Sequence, residues 1–208
     1  MNPWLVIPVK SLRDGKSRLA SALDPVQRRE FMDRLLVHTL NQAAEFPGLE
    51  QTLVVSACSE TRTRATALGA HVLNESGHGL NAALKLAHAS IQQRGATQMI
   101  VVPCDLPLLR NEDLRYLSRL AIPEHIAIAP DRRERGTNGL CFDSSLDFSF
   151  EFGSDSYARH KNNARRLQRE HVAAISPGLA FDIDTPDDLA EMYERDGCQP
   201  VAETVSAR

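Results

Sequence analysis

The chain has 208 residues, 42% of them hydrophobic and 25% charged, the balance of a globular protein that can bury one sizeable core. A formal net charge of −3 and a pI near 6.2 exclude the basic footprint of a nucleic-acid binder and the cationic excess that draws a protein to a membrane surface. The opening MNPWLVIPVK has no basic region ahead of its short apolar run, so neither a signal peptide nor a spanning helix is expected, and the protein is read as cytoplasmic. Cys58, Cys104, Cys141 and Cys198 lie far apart with no C-x-x-C pair and read as isolated reduced thiols.

In chain order, WLVIPV (4–9) is the first predicted strand, an unbroken apolar run of the kind buried on both faces. It feeds the loop PVKSLRDGKSRL, which carries Lys10, Arg13, Lys16 and Arg18 around Gly15. The GKS within it is not a P-loop, because that motif needs glycine where this chain has Lys10. A basic loop after the first strand suits a polyphosphate, and ordinary surface charge is the competing reading. DPVQRREFMDRLLVHTLNQAAEF (24–46) reads as a helix with Asp24 as N-cap and Pro25 at the first helical position. TLVVSA (52–57) and AHVLN (70–74) read as strands, and GLNAALKLAHASIQQRG (79–95) as a helix after a glycine-flanked loop whose His78 is a candidate nucleotide contact. QMIVVP (98–103) and HIAIAP (125–130) are strands that flank the helix NEDLRYLSRLA (111–121), for which Asn111 is the cap candidate.

The alternation predicts a mostly parallel sheet covered on both faces, with right-handed crossovers. It breaks at NGLCFD (138–143), a strand with no long helix before it, so a hairpin-like or mixed region is expected there. SDSYARHKNNARRLQREH (154–171) then reads as a basic helix, AFDID (180–184) as a late strand and PDDLAEMYERDG (186–197) as a final helix. With no internal repeat or linker, residues 1–196 form one α/β domain and 197–208 a loose tail. The basic helix lacks interleaved aromatic residues for base stacking and reads as a solvated face.

In such sheets ligands bind beyond the carboxyl ends of the strands. Asp105 stands there, straight after an apolar run and stiffened by Pro103 and Pro107; with Asn111 available as a cap, it is read as a cation ligand. In AFDID, alternation turns Phe181 and Ile183 one way and Asp182 and Asp184 the other. Two such carboxylates, roughly 6–7 Å apart, repel by about 2.5 kcal/mol at an effective dielectric near 20, which calls for a counter-charge such as a hard divalent cation. Thr185, Pro186, Asp187 and Asp188 are a different device, a capped helix start facing its positive dipole end. RERGTNGL, with Thr137 between two glycines, and FGSDSYARH, with Gly153 before a helix that Ser154, Asp155 or Ser156 would cap, offer backbone N–H groups and hydroxyls to an anion. No H-x-x-x-H spacing and no G-x-S-x-G nucleophile motif occurs.

PVK…GKSRL, GLNAAL, DLPLL, RGTNGL, FGSDSYARH and DIDTPDDL, in that order, resemble the 2-phospho-L-lactate guanylyltransferase (CofC/FbiD) family of coenzyme F-420 biosynthesis, from Val6 to about Leu189. The resemblance implies the nucleotide-diphospho-sugar transferase (GT-A-like, Rossmann-like) fold, with GTP and a small phosphorylated three-carbon acid as substrates. It implies magnesium, as two ions, on Asp105, Asp182 and Asp184, and an acceptor carboxylate held by Thr137, Gly153 and Ser156. Lys10 and Lys16 match the family's first-loop lysines; charge and position make them, with Gly15 and Arg18, the phosphate-handling loop. Leu80 and Asn81 fall in the segment beside the guanosine. The resemblance also implies a downstream transferase that accepts the activated product. The competing expectations are a nucleotidyltransferase of the same fold acting on a molybdopterin or sugar phosphate, whose usual G-x-G-x-R first loop is missing, and a non-catalytic GTP- and metal-binding regulator.

Overall fold

The computed structural model describes residues 1–12, 15–75 and 79–196. Arg13, His78, Cys198 and the tail predicted at 197–208 lie outside them. The strands are β1 (Pro3–Pro8), β2 (Thr52–Ser56), β3 (His71–Asn74), β4 (Gln98–Val101), β5 (His125–Pro130), β6 (Thr137–Asp143) and β7 (Glu170–Ala173). The helices are α1 (Pro25–Glu45), α2 (Ser59–Ala67), α3 (Leu80–Gln93), α4 (Asn111–Leu120), α5 (Ser156–Arg166), α6 (Pro177–Ala180) and α7 (Pro186–Asp196).

The strands make one sheet in the order β3-β2-β1-β4-β6-β5-β7. All neighbours are parallel except β6, which runs antiparallel to both β4 and β5. The mixed region expected around NGLCFD is therefore this reversed strand. Alternation along each strand feeds two cores. Leu5, Ile7, Val54, Ile100 and Ala127 pack with Leu35 and Leu36 of α1, Leu114 and Leu117 of α4, and Leu189 and Met192 of α7. Trp4, Val6, Met99, Ile126, Ile128 and Phe142 point the other way, onto Leu84 and Ile91 of α3 and Ala164 of α5. Burial on both faces is why these strands read as continuous apolar runs.

Several features differ from expectation, including α6, for which the sequence reading has no element. AFDID joins no ladder: Ala180 ends α6, and beyond it Phe181 and Ile183 are buried and Asp182 and Asp184 half-buried, as alternation requires, yet the segment lies along the loop after β4, where Ile183 N–H donates to the Asp105 carbonyl at 3.1 Å. The basic segment 154–171 is helical only to Arg166, and its end becomes β7, pairing with β5. α2 was hidden because SETRTRATA has no apolar stripe and buries only Thr61 and Ala65. Asn111 is the first residue of α4 rather than its cap: its N–H donates to Gln42 Oε1 at 3.0 Å, while Asp113 Oδ2 accepts from Arg110 N–H at 2.9 Å. Asp24 does cap α1, accepting from Val26 and Gln27 N–H as Gln27 accepts from Asp24 N–H. Cys104 and Cys141 are buried free thiols, Cys58 is a half-buried one, and no helix among the described residues is long and apolar enough to cross a membrane.

Candidate active site

The carboxyl ends of β1, β2 and β4 open onto one edge of the sheet, and β6, being reversed, starts on that same edge. Between β1 and β4 the strand order changes direction, the position at which open α/β sheets form a ligand crevice. A cavity of about 870 Å³ lies there, lined among others by Lys10, Gly15, Lys16, Arg18, Leu80, Asp105 and Asp184. The fold thus gathers seven separately predicted residues from four segments into one wall.

The loop after β1 is folded tightly. Gly15 N–H donates to the Ser11 carbonyl at 3.0 Å, and a Cβ at Gly15 would stand 2.6 Å from that oxygen, so glycine is required. Lys16 takes a left-handed backbone, φ +54°, uncommon for a residue with a side chain. That conformation goes with a side chain whose ammonium donates to Asp105 Oδ2 and, at 2.7 Å, to Asp184 Oδ1. Burial of Lys16 opposes its charge, but the two carboxylates outweigh burial and raise its pKa above the ordinary lysine value. Arg18 Nη1 is 4.0 Å from Asp184 on a largely exposed side chain, and Lys10 is exposed at the rim. Across the cavity stands the start of α3. Gly79 precedes it without a side-chain cap, so among the described residues the N–H groups of Leu80 and its neighbours stand at an uncapped, positively polarised helix end.

Asn81 does not line this cavity. Its amide is matched to the backbone of Phe152, donating to the carbonyl at 3.2 Å and accepting from the N–H at 2.8 Å, and so ties α3 to the segment before α5. Asp182 stands beside the cavity, accepting from Asn138 Nδ2 at 3.2 Å. Burial lifts its pKa above the usual carboxylate value; the Asn138 bond opposes that, and the charges of Asp105 and Asp184 add to it. The three carboxylates therefore feel one another. Among the described residues no three acidic, histidine or cysteine side chains form a ready-made metal cage. Lys16 supplies the cation between Asp105 and Asp184 instead. Among the described residues Asp105 Oδ1 is buried without a hydrogen-bond partner, and the donor set is oxygen only, so these residues fit a hard divalent ion.

Thr137, Gly153 and Ser156 gather on the β6 side of the same sheet edge. Thr137 is the first residue of β6 and Ser156 the first of α5, both buried. Gly153 has φ +121°, open to glycine and strained for other residues, and its carbonyl accepts from Ser156 N–H at 3.2 Å. Thr137 Oγ1 is 3.0 Å from Nδ1 of His160, one turn beyond Ser156. Two neighbours of these candidates have no role of their own in the sequence reading: Asn138, within the RERGTNGL loop, donates to Asp182, and His160 meets Thr137. Both lie inside quoted motifs, and the i, i+4 spacing of Ser156 and His160 on one helix face was the available signal.

Residues 4–197 match the family model described as "Guanylyl transferase CofC like". A phosphoenolpyruvate guanylyltransferase of Rubrobacter xylanophilus is 36% identical over 203 residues, covering 96% of this chain and 97% of that one. One from Sphaerobacter thermophilus is 37% identical over 193 residues, covering 92% and 93%. Among solved structures, a protein from Desulfovibrio desulfuricans G20 assigned as a nucleotide-diphospho-sugar transferase superposes with a TM-score of 0.77 at 15% identity, over 98% of this chain and 91% of that chain. The sheet and its flanking helices are that fold.

Proposed function

The chain belongs to the CofC-like guanylyl transferase family and is a nucleotidyltransferase, and from that premise we propose that it transfers the guanylyl group of GTP to phosphoenolpyruvate and releases diphosphate. The carrying observation is the cavity wall in which Lys10, Lys16, Arg18 and the open end of α3 face Asp105 and Asp184, with Asp182 beside them. That is a site for phosphates with carboxylates left over for a metal. The names of both relatives favour phosphoenolpyruvate over 2-phospho-L-lactate and 3-phospho-D-glycerate.

An oxygen of the acid's phosphate attacks the α-phosphorus of GTP. A new phosphoanhydride forms, the bond between the α- and β-phosphates breaks, and diphosphate leaves with that electron pair. The nucleophile is already anionic at neutral pH, so the step needs no general base. What remains is to hold two polyanions together and stabilise the leaving group. Lys10, Lys16 and Arg18 supply charge at the phosphates, and the N–H groups at the start of α3 bind without adding flexibility. Thr137, Ser156 and the backbone at Gly153 hold the acid's carboxylate. Asp105, Asp182 and Asp184 would hold magnesium, which when bound screens phosphate charge and polarises the transferred group. The activated product would pass to a second transferase in coenzyme F-420 assembly, in the cytoplasm.

The test is to incubate the protein with magnesium and GTP, adding phosphoenolpyruvate, 2-phospho-L-lactate or 3-phospho-D-glycerate in turn, and to measure diphosphate. Fastest release with phosphoenolpyruvate is expected. Release with none of the three would overturn the reading, and tight GTP binding without release would make the protein a regulator.

A further inference from the structure

His160 lies in α5 with no solvent exposure. Its Nε2 is 3.1 Å from the N–H of Glu151, a group that can only donate. Nε2 is therefore the acceptor, and in the neutral ring the proton must sit on Nδ1. That nitrogen is 3.0 Å from Thr137 Oγ1, so the ring donates and the threonine oxygen accepts. The hydroxyl's own hydrogen is left to point elsewhere, and it meets no acceptor among the described residues. In the other tautomer Nδ1 would be the acceptor, and the hydroxyl would turn inward to it. The ring has little freedom to change: Phe152 meets it edge-on at 4.7 Å between centroids, and Phe148 packs at 5.6 Å. Burial, with Arg159 nearby, pushes the His160 pKa down to about 4, so the ring stays neutral at physiological pH.

We propose that His160 is a positioning residue that fixes the Thr137 hydroxyl as an outward hydrogen-bond donor to the carboxylate of the acceptor acid. The inference rests on the reading of Thr137 as an acceptor contact. A backbone N–H thus sets the tautomer of a ring, and the ring sets the direction of a hydroxyl at the mouth of β6.

Two substitutions separate the ring's two bonds. His160→Gln keeps an acceptor near Glu151 N–H and removes the donor at Nδ1; His160→Asn keeps a donor at the Nδ1 position. In the diphosphate assay, His160→Gln is expected to raise KM for the acid about tenfold, the worth of one hydrogen bond, with KM for GTP unchanged. His160→Asn should restore most of the loss. In a Thr137→Val background, His160→Gln should cost nothing further, because the hydroxyl it orients is gone. Equal losses for both substrates, additive losses in the double variant, or no rescue by asparagine would each overturn the proposal. Nitrogen-15 NMR of the wild-type protein tests the tautomer independently of folding in the variants: a proton on Nδ1 is expected, and one on Nε2 refutes it. Wild-type protein inactive with all three acids sinks the functional reading, whereas an active wild type and an unaltered His160→Gln sink this inference alone.

Discussion

At the scale of single residues, Asp184 joins the basic loop to the acidic segment. It accepts from Lys16 at 2.7 Å and has Arg18 at 4.0 Å. Asp184→Asn keeps size and shape but removes the charge, so turnover should fall at least ~100-fold while the thermal unfolding midpoint moves little; activity near wild type would remove Asp184 from the machinery. His160 makes a separate prediction about pH. Its folded pKa of about 4 lies below the ordinary 6.5, so its contribution to stability is complete above pH 6.5 and is lost as the pH falls toward 4, where the unfolded chain takes up a proton that the native state refuses. The slope from this group is about 1.4 kcal/mol per pH unit. His160→Gln should remove that slope between pH 6 and 5 in denaturant titrations, and an unchanged slope would show that the ring is not held neutral. The basic loop and the aspartates were legible in the sequence as charges at strand ends. That Lys16 would stand between two of them was not, since it depends on a left-handed turn that no motif encodes.

At the scale of elements, FDIDTPDDL shows what alternation can and cannot give. Period-two burial correctly separated Asp182 and Asp184 from Phe181 and Ile183, but alternation describes any extended segment with one face buried, whether or not it finds a strand partner. The helix start was readable because capping is local. Thr185 Oγ1 accepts from Asp188 N–H at 3.3 Å, and Asp188 Oδ2 accepts from the N–H groups of Asp184 and Thr185 at 3.0 and 2.7 Å. Its other oxygen meets Arg132, a contact from the β5–β6 loop that sequence does not display. Burial works to raise the Asp188 pKa, and these bonds and Arg132 hold it below the usual value. Asp188→Asn should therefore cost about 1–2 kcal/mol by chemical denaturation, with a smaller loss of activity than Asp184→Asn; no loss of stability would mean that these capping bonds and the Arg132 pair carry no net weight. The start of β7 was misread for the opposite reason, because its helix-compatible sequence becomes a strand only through the neighbour it pairs with, β5.

At the scale of the whole molecule, the strand order decides where chemistry can occur. Parallel β1 and β4 meet at the switch point, and the reversal of β6 brings Thr137 to the edge already carrying Lys16 and Asp105. The fold class was legible because alternating apolar runs and amphipathic helices have few packing solutions. The convergence of Lys10, Gly15, Lys16, Arg18, Leu80, Asp105 and Asp184 on one cavity was visible only as motif order, since distance along a chain says nothing of which strand ends share an edge. The transfer assigned to that edge is tested most directly by following phosphorus. With GTP labelled at the α-phosphate, magnesium and phosphoenolpyruvate, the label should appear in a new diphosphate joined to the acid, while label placed at the γ-phosphate should leave as diphosphate. α-Label that stays in GTP, or passes to water as GMP when the acid is present, would contradict guanylyl transfer.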